Sequence, residues 1–230
     1  MGVKERRQRE RQVRENEILV AAKELFVSEG YEGASIEKIA AKLELSKRTI
    51  YLYFSSKDEL YYAVAKPGLD IMFEMFEQSV EPQGTGLSKF AAIGISFADF
   101  WDMFPDYRLM MHTTGFIKPS MESGPRGMEF HEVSLKIIKT MTGAIEQGIR
   151  DGSIRKDVDP MTAAFCISSS LQGVLQNLDS REAELNGMGM PRKRMIFETL
   201  ELFGRALADP DQDCGSVLSK MNKERGGKRK

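Results

Sequence analysis

Cysteine is nearly absent: Cys166 and Cys214 are the only two in 230 residues, one inside an apolar helical pattern and one in a polar tail. That usage suits a reducing compartment without structural disulfides, and Cys166 reads as a small core residue. Histidine is as scarce, with His112 and His131 alone. The Glu-x-x-His spacing of carboxylate-bridged metal sites needs acids where Leu109 and Met128 stand, and Glu129 and His131, two apart, point to different faces of a helix. No Gly-rich phosphate loop and no Gly-x-Ser-x-Gly elbow occurs. A helical-bundle enzyme is therefore a remote alternative, with no catalytic residue, cofactor or metal site to name.

Long apolar runs are missing too. The longest, Phe90 to Trp101, is about twelve residues and contains Asp99, too short and too polar for a bilayer core of roughly 30 Å. Met1 to Arg14 lacks the apolar segment of a signal peptide, so a cytoplasmic location is expected. Neither sign of charge is in excess: 33 Lys and Arg stand against 34 Asp and Glu, a net of -1. Any nucleic-acid binding must then come from cations gathered in one place.

What is present is a globular composition, 41% hydrophobic and 29% charged, with helical periodicity along most of its length and no alternating run that defends a strand. An all-α fold of about nine helices follows. Ile18, Ala21, Ala22, Leu25 and Phe26 give the first helix, from Glu15 to a stop at Gly30. Ser35 caps a short second helix striped by Ile36, Ile39, Ala40 and Leu43. Ser46 caps a third, with Leu45, Ile50 and Phe54 facing inward. Ser56-Lys57-Asp58-Glu59 opens a fourth with an acidic first turn, which Pro67-Gly68 should kink or restart before Ile71. Leu87 to Phe104 is apolar around most of its circumference. Pro105 starts a helix to Thr114, Gly115 to Gly127 reads as a loop, and helices follow over Met128 to Arg150, over Met161 to Leu178 after the Asp159-Pro160 cap, and after Pro191.

Three short helices with a tight turn between the second and third form the core that pushes a helix into the DNA major groove. The third helix offers Lys47, Arg48, Thr49, Tyr51 and Tyr53 at exposed positions, and no carboxylate. The leader adds six cations, Lys4, Arg6, Arg7, Arg9, Arg11 and Arg14, against Glu5 and Glu10, a net of +4. Such an arm can lie in the minor groove or along the phosphate backbone.

Leu25-Phe26, Gly30-Tyr31, Ser35-Ile36, Ile39-Ala40, Ser46-Lys47, Thr49-Ile50-Tyr51, Tyr53-Phe54 and Ser56-Lys57-Asp58-Glu59-Leu60 together resemble the N-terminal signature of the tetracycline-repressor (TetR) family. The resemblance implies that Ser35, Thr49, Tyr51, Tyr53 and Lys57 meet phosphates, while Lys47 and Arg48 lie nearest the base edges; Ser46, the cap of that helix, and Arg14 of the leader complete the candidate DNA-binding residues. Two positions depart from the family pattern. Glu44 stands where a glycine is usual in the turn, at about 1 kcal/mol if it must be left-handed. Arg48 stands where a small residue is common, and can read guanine or clamp a phosphate.

Downstream, methionines and aromatics recur through the helices. Met72, Phe76, Phe97, Trp101, Phe104, Met111, Phe130 and Met141 are candidates to line a cavity for a small apolar or amphipathic ligand, which the resemblance also implies. Ser168, Ser169, Ser170 and Gly173 leave a low surface along the helix from Met161. With the helix after Pro191 it can build a four-helix interface across a two-fold axis. The segment from Gly148 to Pro160 is similar, more loosely, to the join before the dimerisation helices of the same family.

The expected organisation is thus a basic arm over 1–13, a helix-turn-helix DNA-binding domain over 14–56, a helical ligand-binding and dimerisation domain over 57–208, and a disordered tail over 209–230. The expected function is a ligand-responsive repressor that binds a palindromic operator in double-stranded DNA as a homodimer. A DNA-binding regulator without a small-molecule ligand is the alternative.

Overall fold

A computed structural model describes the backbone of residues 2–114 and 124–210, and the side chains of all of these except 111–114. Among the described residues there are nine helices and no strand: α1 (Val3–Gly33), α2 (Ile36–Lys42), α3 (Lys47–Tyr51), α4 (Lys57–Ser79), α5 (Gly86–Met103), α6 (Pro105–Thr114), α7 (Gly124–Asp151), α8 (Pro160–Gly187) and α9 (Arg192–Leu207). The helices gather into two compact units, Met1–Ile71 with Phe104–Ser134, and Met72–Met103 with Leu135–Lys230. None of the described helices is long and apolar enough to cross a membrane.

In the first unit α1 buries Ile18, Ala21, Ala22 and Phe26, the face its periodicity selects, and packs on α2 and α6. Lys23 ties it to α6, with Nζ 2.9 Å from Asp106 and 4.6 Å from the Tyr107 ring centroid. The same Tyr107 ring occupies the space where a side chain at Gly68 would go: a Cβ there would lie 2.5 Å from Tyr107 Cγ. Phe26, Tyr31, Tyr61, Tyr62 and Phe130 form a chain of rings with successive centroids 5.1 to 6.1 Å apart, joining α1, α4 and α7. Such pairs add about 0.5–1.5 kcal/mol each to the burial of their area.

The second unit centres on α5, α8 and α9, where Ala91, Ala98, Trp101, Leu171, Leu175 and Leu200 pack with Ile95, Phe97, Ile196 and Phe197. Trp101 is 0% exposed and donates its Nε1–H to Asp179 at 2.8 Å. Arg192, at the start of α9, holds Asp179 and Asp102 at 2.9 Å each. Gly86 and Gly148 let α5 and α7 touch backbone to backbone, since a Cβ on Gly86 would come within 1.9 Å of Gly148 N. Asp159 caps α8 as expected, accepting from the Thr162 N–H at 2.8 Å with Pro160 in the first turn.

Five expectations need correction. α1 starts at Val3, not Glu15: the leader is rich in Lys, Arg, Gln and Glu, good helix formers, and carries the Arg6–Glu10 pair at 2.8 Å one turn apart, so the helix extends without an apolar stripe to announce it. α4 neither stops nor restarts at Pro67, which sits inside one continuous helix. Residues buried on both sides of it, Tyr61, Tyr62 and Val64 before and Leu69, Met72 and Phe76 after, outweigh the one backbone hydrogen bond that proline removes. Residues 124–127, read as loop, open α7. α8 runs to Gly187, past Leu178, with a non-helical Arg181 marking where the apolar pattern gives out. Cys166 is exposed on α8 and is no core residue. The tail from 211 onward, with Cys214, lies outside the described residues.

Candidate nucleic-acid interface

The geometry of the site follows from two serine caps and one turn. Ser35 Oγ accepts from the Lys38 N–H at 3.3 Å and opens α2, whose Ile36, Ile39 and Ala40 are buried. α2 ends in paired bonds, Leu45 N–H to Ala40 O at 2.8 Å and Glu44 N–H to Ala41 O at 3.1 Å, the six-to-one and five-to-two pattern of a Schellman turn. That turn needs a left-handed residue, and Glu44 supplies it at φ 56°, the one non-glycine with positive φ among the described residues. Ser46 Oγ then accepts from the Thr49 N–H at 3.1 Å and opens α3, with Ile50 and Phe54 buried beneath. The turn and the buried pair fix α3 across α2, its other face turned to solvent.

On that face Lys47 and Arg48 are exposed, Thr49 and Tyr53 half-buried, and Tyr51 50% exposed. Lys47 is not isolated: its ammonium pairs with Glu37 of α2. The hydrogen bond from Lys47, with those of the Glu37 backbone and Ser35, lowers the Glu37 carboxyl to about 2. Lys57, at the start of α4, lies 4.1 Å from the Tyr31 ring centroid, and the Tyr31 hydroxyl donates to Asp58. Burial first, then Asp58, pushes the Tyr31 hydroxyl up, so it stays a donor. Arg14 pairs with Glu17 at 2.8 Å. Ser35 and Ser46 are occupied as caps, so what they present outward is the N–H groups of two helix starts. Sequence reasoning missed Glu37 and the ring of Tyr31 as partners, and it placed Arg11 in the arm without its contact to Tyr53, whose ring centroid lies 5.6 Å from the guanidinium carbon.

The candidate ligand residues fall in both units. Phe97 and Trp101 pack together at 5.8 Å in the α5–α8–α9 core, and Met72, Phe76 and the half-buried Met141 belong to the same unit. Phe130 joins the ring chain of the first unit, where Phe104 is half-buried. The side chain of Met111 lies outside the described residues. On the candidate dimer face, Met161, Phe165 and Met188 on and just after α8 and Leu202 on α9 are large and exposed, Phe165 at 71%. Ser169 is exposed between them, and a Cβ on Gly173 would meet nothing within 4 Å.

A serine-capped helix, a left-handed turn and a second capped helix with a cationic, hydroxyl-bearing outer face define a helix-turn-helix DNA-binding regulator. Residues 18–64 match the family described as bacterial regulatory proteins, tetR family. The chain is 31% identical over 112 residues to the HTH-type transcriptional activator FasR of Mycolicibacterium smegmatis, a match spanning 48% of this chain and about half, 51%, of that protein. It is 25% identical over 159 residues to the fatty acid metabolism regulator protein of Bacillus subtilis, covering 67% and 78% of the two chains. The fold is similar to that of FadR from Bacillus subtilis, solved in complex with stearoyl-CoA, at a TM-score of 0.62 and 18% identity over 83% of this chain and 98% of that one. Residues 18–64 thus carry the DNA-binding domain of the tetR family, and the relatives this chain resembles are transcriptional regulators.

Proposed function

We propose that the protein is a cytoplasmic, homodimeric repressor that binds a palindromic operator and is released by a small apolar or amphipathic ligand. The observation that carries the DNA half is α3, held by buried Ile50 and Phe54 with Lys47, Arg48 and Tyr51 turned outward. In this reading Lys47 and Arg48 meet base edges, and Thr49, Tyr51, Tyr53, Lys57 and the helix starts at Ser35 and Ser46 meet phosphates, with Arg14 at the edge. The exposed row Met161, Phe165 and Leu202 supports an α8–α9 dimer interface, because so large an apolar surface on two helices is costly to leave in water. Phe165→Glu should give monomers in sizing chromatography and lose operator affinity with its fold intact.

A long-chain acyl thioester is the ligand class supported by the likeness to the fatty acid metabolism regulator of Bacillus subtilis and to the FadR structure from that organism, which holds stearoyl-CoA. Ligand coupling in such systems changes DNA affinity typically 5- to 150-fold. Stearoyl-CoA is the probe: it should raise the thermal midpoint in proportion to saturation and weaken binding to a selected duplex. A midpoint and an affinity both indifferent to acyl-CoA of any chain length would favour a regulator without a small-molecule ligand.

A further inference from the structure

The helix α1 extends about three turns beyond the domain it belongs to, with residues 3–13 exposed throughout. Within the domain its inward face is the row Ile18, Ala21, Ala22 and Leu25, three buried and one half-buried. Counting back at the same helical spacing, that row continues through Arg14, Arg11, Arg7 and Lys4. The azimuth that is apolar over the domain becomes cationic where the helix overhangs it. Glu5 falls on a different face, and the Arg6–Glu10 pair lies around the side. Among the described residues none of Lys4, Arg7 and Arg11 is in an ion pair, and Arg11 lies over the ring of Tyr53, just past the end of α3. The cationic row and the reading helix therefore share one side of the domain.

We propose that this helical extension is a second DNA-contact surface, a rigid cationic rail that follows the phosphates next to the groove α3 enters. The proposal rests on the DNA-binding reading and adds to it a footprint. From Arg14 to Lys4 the rail is about 15 Å long at 1.5 Å per residue, or roughly four to five base pairs beside each half-site. A double-helical polyanion fits the row better than a small anion, because the cations repeat along an axis and do not converge on a point.

The test compares the full-length protein with its K4Q/R7Q variant on a duplex that the wild type selects from a random pool. Glutamine keeps the helix propensity and neither position touches Tyr53. Removing two cations from each of two protomers should flatten the slope of log affinity against log salt by about 3 to 4 units. Ethylation interference should show one block of phosphates dropping out while the block under α3 stays, with the selected sequence unchanged. Equal slopes and identical interference patterns overturn the rail and leave α3 untouched. A wild type that binds no duplex overturns both.

Discussion

Replacing Glu44 by glycine should stabilise the protein, against the usual direction for glycine. A left-handed L-residue costs about 1–2 kcal/mol, and glycine removes that penalty while adding about 0.4–1 kcal/mol of unfolded-chain entropy. The net gain is on the order of 0.5–1 kcal/mol, or about 1–4 °C in thermal midpoint for a chain of this size. Glu44 also sits at the C-terminal end of α2, where a negative charge is unfavourable, so charge removal has to be separated from strain relief. A four-member series does this. Gln and Ala remove the charge and keep the strain, whereas Gly and Asn remove the charge and tolerate φ 56°. Midpoints by calorimetry should rank Gly and Asn above Gln and Ala at neutral pH. If Gln or Ala stabilises as much as Gly, the turn is not strained at this residue.

Further outcomes follow from the packing and the charges. Asp179→Ala removes the acceptor of Trp101 Nε1 and one of the two carboxylates on Arg192, which should cost about 1–3 kcal/mol and red-shift the emission of the single tryptophan. Gly86→Ala sets a Cβ against the backbone of Gly148, which cannot step aside, so a loss of about 3 kcal/mol or more is expected in urea unfolding. Lys47→Met should return the Glu37 carboxyl from about 2 toward the ordinary glutamate range, as read by NMR titration. Because the native value is depressed, the pair's contribution to stability is full above the unfolded glutamate value and fades as pH falls through about 2. The variant should therefore show the shallower acid dependence.

The parts of this fold that could be read in advance were those with a local chemical signature. Ser35, Ser46 and Asp159 each mark a helix start because a short polar side chain before an apolar period does one thing well, and each is found capping. Which face of α3 turns outward was legible because its inward partners, Ile50 and Phe54, are unmistakably apolar. The leader was not, since a helix with no buried face has no period to detect. Pro67 misled in the opposite way: its local preference is real, but the buried residues either side of it decide the outcome, and those contacts are not local. The exposure of Cys166 beside Phe165 was hidden for a related reason, because in the sequence an apolar helix face left exposed looks the same as one packed into the core. Glu37 and Tyr31, which hold Lys47 and Lys57, are set by contacts between helices, and no spacing rule announces them.

Selection of bound duplexes from a random pool, with the sequence of every survivor read, bears most heavily on the DNA-reading face. A two-fold pair of α3 helices predicts an enriched palindrome whose half-site centres lie one helical turn, roughly 34–36 Å, or a multiple of it apart. Arg48→Ala should relax preference within each half-site and leave the spacing alone. A pool that emerges without enrichment, or a preferred sequence with no two-fold relation, contradicts the paired reading helices on which the proposed function stands.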